Sequence, residues 1–287
     1  MKNILLVGSS GQLGSDLSQK LNKKPDYQVS KLDHYQIELT DKDSVFSSIT
    51  TLSPDIVINC GAYVRVDDCE DNAAHAIEVN ALGAGYVAQA TEEVGAVCVY
   101  ISTDYVFDGQ KNSPYLENDP AYPINIYGIS KLSGEHMVRS YSTKNFIIRS
   151  SGLYGLAGSS GKGGNFVNTI IKGAKEGKPL NVVDDQVLSP TFTKDLSKAI
   201  TDLMETSKFG IYHITNSGEC SWFEFAKQVL SITGLSTELN CISTEQYGAK
   251  ARRPAYSVLS NSKLENLGLN MLRPWDQALE NYISLLT

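Results

Sequence analysis

The stretch ILLVGSSGQLG, residues 4–14, sets three glycines at intervals of three directly behind an apolar run and ahead of an amphipathic one. An apolar run that stops at a glycine and resumes with helical spacing reads as strand, tight turn and helix. In such a unit glycines let the backbone turn sharply and come close to a pyrophosphate. The helix start then offers free N–H groups and the positive end of its dipole. Gly8 ends the strand, Gly11 opens the helix ahead of Gln12 and Leu13, and Gly14 falls one turn later, where a side chain would obstruct packing. Ser10 stands where the commoner G-x-G-x-x-G pattern has its second glycine. A glycine-rich turn that binds nothing has the same spacing, so the rest of the chain must decide.

That chain alternates. Strands are predicted at 4–7, 28–32, 55–59, 97–102 and 146–149, and helices at 12–21, 42–52, 73–94 and 125–142. Strands separated by helices imply right-handed crossovers and a parallel sheet covered on both faces, which near-continuous apolar runs such as NILLVG and DIVIN also require. The predicted fold is therefore α/β, a Rossmann-type doubly wound parallel sheet with a smaller C-terminal lobe. Residues 1–150 form the dinucleotide-binding part, with a return segment near 190–215, and 151–287 form mainly a substrate-binding lobe. A glycine-rich loop spans 152–164, a helix follows at 166–176, and a strand at 180–183. Ser221 and Gly234 read as N- and C-cap of a further helix, and Pro274 opens the last one.

A formal charge of −7 leaves no basic surplus for nucleic acid. The five cysteines, at 60, 69, 98, 220 and 241, form no C-x-x-C pair and read as reduced thiols. No apolar run reaches the roughly 18 residues of a membrane span. A cytoplasmic protein with no membrane partner is expected.

Two further stretches carry chemistry. NIYGISKLSGE places Tyr127 and Lys131 four apart on one helix face, where an ammonium would draw a phenol's pKa down from about 10. VYISTDYVFDG brings Ser102, Thr103 and Asp104 to the C-terminal end of a strand, the edge where open α/β sheets bind ligands. Asp33, closing the second strand, stands where an acid meets adenosine ribose hydroxyls. Its neighbours Lys31 and His34 would instead suit a 2′-phosphate, so NADH and NADPH both remain open. Asn59 fits either the crevice or a core turn. The four histidines lack metal-ligand spacing, and Trp222 and Trp275 read as core or interface.

Glycine turn, strand-end hydroxyl and Tyr/Lys helix, in this order, resemble the extended branch of the short-chain dehydrogenase/reductase superfamily. PDIVINCGAYVRVDDCE, VNALGAGYVA, STDYVFDG, PYLENDPAYPINIYGISKLSGE, GGNFV, DDQVLSPTFTKDL and RRPAYSVLSNSKL resemble the dTDP-4-dehydrorhamnose reductase family through most of the chain. The resemblance implies reduction of a nucleotide-sugar C4 ketone by NADPH or NADH. It makes Tyr127 the proton donor, Lys131 the holder of the nicotinamide ribose, and Thr103 the group polarising the carbonyl. Asp104 and Tyr105 would lie at the sugar, Gly61, Ala62 and Tyr63 against the cofactor, Asn165 and Phe166 on the nucleotide sugar, and Arg253 on its diphosphate.

The chain departs from the family pattern in three places. Gly61 replaces an alanine, Val64–Arg65 stands where Thr-Ala is common, and Gly152 replaces a tryptophan found in some members. Some members bind Mg²⁺ at a dimer contact. Asp16 and Asp195 could correspond, but they read as solvated helix carboxylates and no metal is assigned; a homodimer is a candidate assembly. An epimerase, a dehydratase or a non-catalytic subunit of methionine adenosyltransferase would keep the fold. Dehydratases show Asp-Glu after the threonine, whereas Asp104-Tyr105 follows Thr103 here.

Overall fold

A computed structural model describes residues 1–157, 164–269 and 272–286. Six parallel strands form the central sheet: β1 (Lys2–Val7), β2 (Tyr27–Leu32), β3 (Ile56–Asn59), β4 (Val97–Thr103), β5 (Asn145–Ser150) and β10 (Gly210–His213), in the order β10-β5-β4-β3-β1-β2. The chain winds one way from β1 to β2 and the other way from β3 to β10, so a crevice opens at the C-terminal ends of β1 and β3.

Period-two alternation splits each strand between two cores. Ile4, Leu6, Ile58, Val99 and Ile148 pack against α1 (Gln12–Leu21) and α8 (Thr193–Leu203). Leu5, Val7, Val57, Tyr100 and Ile147 pack on the opposite face, with side chains from α2 (Lys42–Leu52), α5 (Ala84–Glu93) and α6 (Ile126–Tyr141). The four inner strands β1, β3, β4 and β5 are thus sandwiched, as apolar runs without polar alternation require, while the edge strand β2 is only partly covered.

A third core gathers Tyr154, Phe192, Phe225, Leu279 and Tyr282 around α7 (Phe166–Lys175), α9 (Trp222–Thr233) and the C-terminal helix Trp275–Ser284. Short strand pairs stitch it together: β6 (Leu153–Tyr154) with β9 (Thr191–Phe192), β7 (Leu180–Val183) with β12 (Leu239–Ile242), and β8 (Val187–Leu188) with β11 (Cys220–Ser221).

The stretch predicted as one helix over 73–94 is instead three pieces: α4 (Ala73–Ile77), a π-helical turn Glu78–Gly83, and α5. The widened turn is tied to partners distant in the sequence. Asn80 points inward, taking the Tyr63 N–H on Oδ1 at 2.8 Å while its amide donates to Tyr63 O and to Ser130 Oγ. The preceding segment Gly61–Tyr63 leads into α3 (Val66–Asp71), whose Glu70 accepts the Ile126 N–H at the start of α6. Part of the glycine-rich loop predicted at 152–164 lies outside the described residues.

Candidate active site

A cavity of about 780 Å³ occupies the crevice, within the usual range for small-molecule sites. Its floor is the β1–α1 turn. Gly8 has φ +75°, and a Cβ there would come within 2.7 Å of Gly61 N; a Cβ on Gly14 would lie 2.2 Å from Gly8 O. These two glycines are demanded by the protein's own packing. Gly11 differs, since a Cβ there would meet nothing closer than Gly8 O at 3.5 Å. Its missing side chain leaves room on the cavity side, at a helix start that no side chain caps. A bare helix N-terminus behind an open glycine fits a pyrophosphate.

Asp33 lies on the same wall, its Oδ1 accepting the Tyr35 N–H at 2.9 Å. Asp33 and Lys31 also border a smaller adjoining hollow together with Ser9. Gly61 and Ala62 line the cavity beside them. The glycine at 61 has a steric reason: a Cβ there would fall 2.6 Å from Leu39 Cδ1 and 3.3 Å from Asn59 Oδ1. Asn59 is buried and accepts the Gly61 N–H, which makes it a turn residue. Tyr63 is not among the lining residues; its backbone is held by Asn80 and its ring edges onto His75.

At the end of β4 the Thr103 hydroxyl accepts the Tyr105 N–H and donates to Asp104 Oδ1 at 3.1 Å. Asp104 is fully buried, its Oδ2 taking hydrogen bonds from Ser151 and Ser257 at 2.7 and 2.6 Å. Burial raises its pKa against the pull of those hydroxyls. Its carboxylate is spent on three hydroxyls, which fixes the strand end. Tyr127 faces Thr103 and Tyr105 across the cavity, its ring edge-on to Tyr105 at 5.9 Å. Gly128 permits this approach, because a Cβ there would sit 2.2 Å from Tyr105 O.

Burial pushes the Tyr127 phenol above its usual pKa, opposed by the Thr103 hydrogen bond. Lys131 sits behind it, fully buried, with Nζ 4.1 Å from the centre of the Tyr100 ring. Desolvation holds its ammonium down to about 7, against the attraction of Glu135. The expected lowering of the phenol by the amine is not found: burial is the largest influence on each group, and it raises the phenol and lowers the ammonium. Glu135 is itself clamped by Arg149 and accepts the Ser102 hydroxyl at 2.5 Å.

On the C-terminal side Asn165 caps α7 and donates to Gly155 O and to the Tyr282 hydroxyl, with Gln12 Oε1 3.3 Å away. Asn165 and Phe166 line the cavity. Arg253 does not; it forms a two-pronged ion pair with Asp67 at 3.1 and 2.8 Å, next to Tyr105. Asp16 is not solvated either. It is buried against Thr193 and ties α1 to α8, while Asp195 pairs with Arg273 and ties α8 to the segment before the C-terminal helix. No group of three or more potential metal-binding side chains occurs among the described residues.

The RmlD substrate binding domain family covers residues 1–287. dTDP-4-dehydrorhamnose reductase of Aggregatibacter actinomycetemcomitans is 35% identical over 98% of this chain and 98% of its own. The chain belongs to the dTDP-4-dehydrorhamnose reductase family. Spore coat polysaccharide biosynthesis protein SpsK of Bacillus subtilis is 43% identical over 99% of this chain and 97% of its own. A crystal structure of the reductase from Bacillus anthracis in complex with NADP superposes with a TM-score of 0.94 at 40% identity, covering 99% of both chains.

For this family member, one cavity joins the glycine turn, Asp33, Gly61–Ala62, Thr103–Tyr105, Tyr127 and Asn165–Phe166. Sequence patterns miss Asn80, Ser151 and Ser257, polar residues whose partners lie far along the chain. Trp222 packs on the third core, as the sequence suggests, but also lines the cavity. A tryptophan directly behind a capping serine, at the mouth of a helix, was the available signal.

Proposed function

We propose that this chain is a reductase of a nucleotide-linked 4-keto-6-deoxy sugar, dTDP-4-dehydro-L-rhamnose, giving dTDP-L-rhamnose in the cytoplasm. The observation that carries this is the meeting of the open glycine turn with Thr103 and Tyr127 in one cavity. When bound, NADPH or NADH supplies the hydride. The backbone at Gly11–Gly14 holds its pyrophosphate and Asp33 its adenosine ribose; Lys131, behind Tyr127, holds the nicotinamide ribose.

The Tyr127 phenol, its pKa raised by burial, keeps its proton at neutral pH and gives it to the ketone oxygen as carbon is reduced. The Thr103 hydroxyl exchanges its bond with Asp104 for one to the same oxygen. Asp104 is buried and anchored through Oδ2 by Ser151 and Ser257, so it fixes the strand end, and Tyr105 rather than a glutamate follows it. That favours reduction over dehydration. The nicotinamide-dependent reading gains support from the NADP complex of the Bacillus anthracis relative.

The test follows oxidation of NADPH and NADH at 340 nm with dTDP-4-dehydro-L-rhamnose, and identifies the product sugar. Tyr127→Phe is expected to cut turnover by about 10²–10⁴-fold while still binding the dinucleotide. Turnover within a few-fold of the parent would remove Tyr127 from the reaction.

A further inference from the structure

We propose that Trp222 is a specificity-determining wall of the substrate site, covering the face of the sugar that carries its 6-methyl group. This rests on the 4-keto-6-deoxy sugar reading above. The first observation is steric. Gly152 has φ +54°, and a Cβ there would lie 2.7 Å from Leu188 Cδ1, 3.2 Å from Pro190 Cα and 3.6 Å from the tip of the Trp222 ring. The space beside the turn that follows β5 is thus filled from the other side, by an indole delivered from α9.

The indole is held. β11 pairs antiparallel with β8, setting Cys220 opposite Leu188 and Ser221 opposite Val187, so Trp222 follows directly on a strand pair that borders the cavity. Ser221 closes a capping box with Glu224 and donates to Asp184 Oδ1 at 2.5 Å, which fixes the start of α9. The ring then rests against Phe166, 4.5 Å between centroids at 46°, with Phe225 behind at 6.2 Å. It remains half-exposed, and the exposed part faces the cavity.

Register decides which part of the ligand meets it. Ser150 pairs with Thr103 across β5 and β4, and Gly152 is two residues further on. We therefore set the ring at the sugar end of the cavity, on the side of Thr103, and not at the nucleotide end. In a 6-deoxyhexos-4-ulose the methyl carbon is two bonds from the ketone carbon. Leu153, Leu188, Phe166 and Trp222 form an apolar corner that suits a methyl and C–H face. A 6-hydroxyl there would be stripped of water with no side-chain partner among these four, which disfavours the hydroxylated sugar.

Steady-state kinetics of Trp222→Ala and Trp222→Phe test the assignment, alongside calorimetric binding of dTDP. Trp222→Ala should raise KM for the sugar nucleotide at least about tenfold, with KM for the nicotinamide cofactor and Kd for dTDP unchanged. Trp222→Phe, which preserves packing, should fall between. The ratio of kcat/KM for the 6-deoxy over the 6-hydroxy 4-keto sugar should shrink in Trp222→Ala. An unchanged KM would mean the indole only packs, and a matching loss of dTDP affinity would put it on the base or diphosphate; either overturns the proposal. In a Trp275→Phe protein the remaining indole is Trp222. Its fluorescence should respond to the sugar nucleotide and not to dTDP. Failure of the parent enzyme to reduce any 4-keto sugar nucleotide would instead sink the function, while normal turnover with indifferent Trp222 variants sinks only this inference.

Discussion

Three glycines of one turn do different jobs, and the difference is measurable. Gly8 and Gly14 are packed against backbone, so a methyl group on either forces main-chain movement. Gly14→Ala is expected to cost ~1–3 kcal/mol in urea unfolding, the usual range for overpacking. Gly11→Ala has only Gly8 O at ordinary contact distance and should unfold at nearly the parental temperature. Its methyl group occupies the space in front of the helix start, so dinucleotide affinity should fall by about tenfold or more. If Gly11→Ala binds cofactor normally, the turn is not the pyrophosphate cradle. Lys131 makes a parallel point about chemistry. A spacing of four residues announced a Tyr/Lys pair, yet the direction of both pKa values follows from burial, which spacing does not reveal.

Elements were legible in the sequence wherever their determinants are local. The helix at 42–52 starts where Asp41 accepts two backbone N–H groups and stops at Ser53 in the left-handed region. The helix of SWFEFAKQVLSITG ends where Gly234 turns left-handed, and the strand at 180–183 holds its predicted bounds. What stayed hidden depends on partners far away. The π turn in 78–83 exists because Asn80 reaches residues 17 positions before it and 50 after it. Removing that side chain tests the account. Asn80→Ala leaves the Tyr63 N–H and carbonyl without their partner and should cost ~1–3 kcal/mol in chemical denaturation. Because the same bonds hold the segment after β3, cofactor KM should rise as well. A stability loss with an unchanged cofactor KM would confine Asn80 to the fold. The cavity-facing side of Trp222 was hidden for the same reason: it depends on β8 and Phe166, both distant in the sequence.

At the scale of the whole molecule, the last strand of the sheet is fastened through a histidine that burial holds neutral. His213, at the end of β10, is fully buried and its backbone N–H donates to Glu117. Its ring Nδ1 donates to Tyr115 O at 3.0 Å, in the segment that pairs with Leu259. Nε2 has no hydrogen-bond partner among the described residues, and Arg149 and Lys263 face the ring alongside Asp119. Burial first, then the Arg149 charge, holds the imidazole down to about 3. Between roughly pH 6.5 and 3 the unfolded chain therefore binds one more proton than the folded one at this site. Stability rises with pH across that window and is lost as pH falls through it, by ~1.4 kcal/mol per unit. Buried Asp104 and Glu117, with raised pKa values, push the opposite way, so the total slope is not diagnostic. A difference between proteins is. Relative to His213→Phe, the parent should lose an extra ~2–3 kcal/mol of unfolding free energy between pH 6.5 and 4.5, whatever the variant costs at neutral pH. The carboxylates are common to both and cancel. Parallel pH profiles would mean that the folded protein accommodates a charged ring at this junction, and that the end of β10 is not joined to the Tyr115 segment through a neutral histidine.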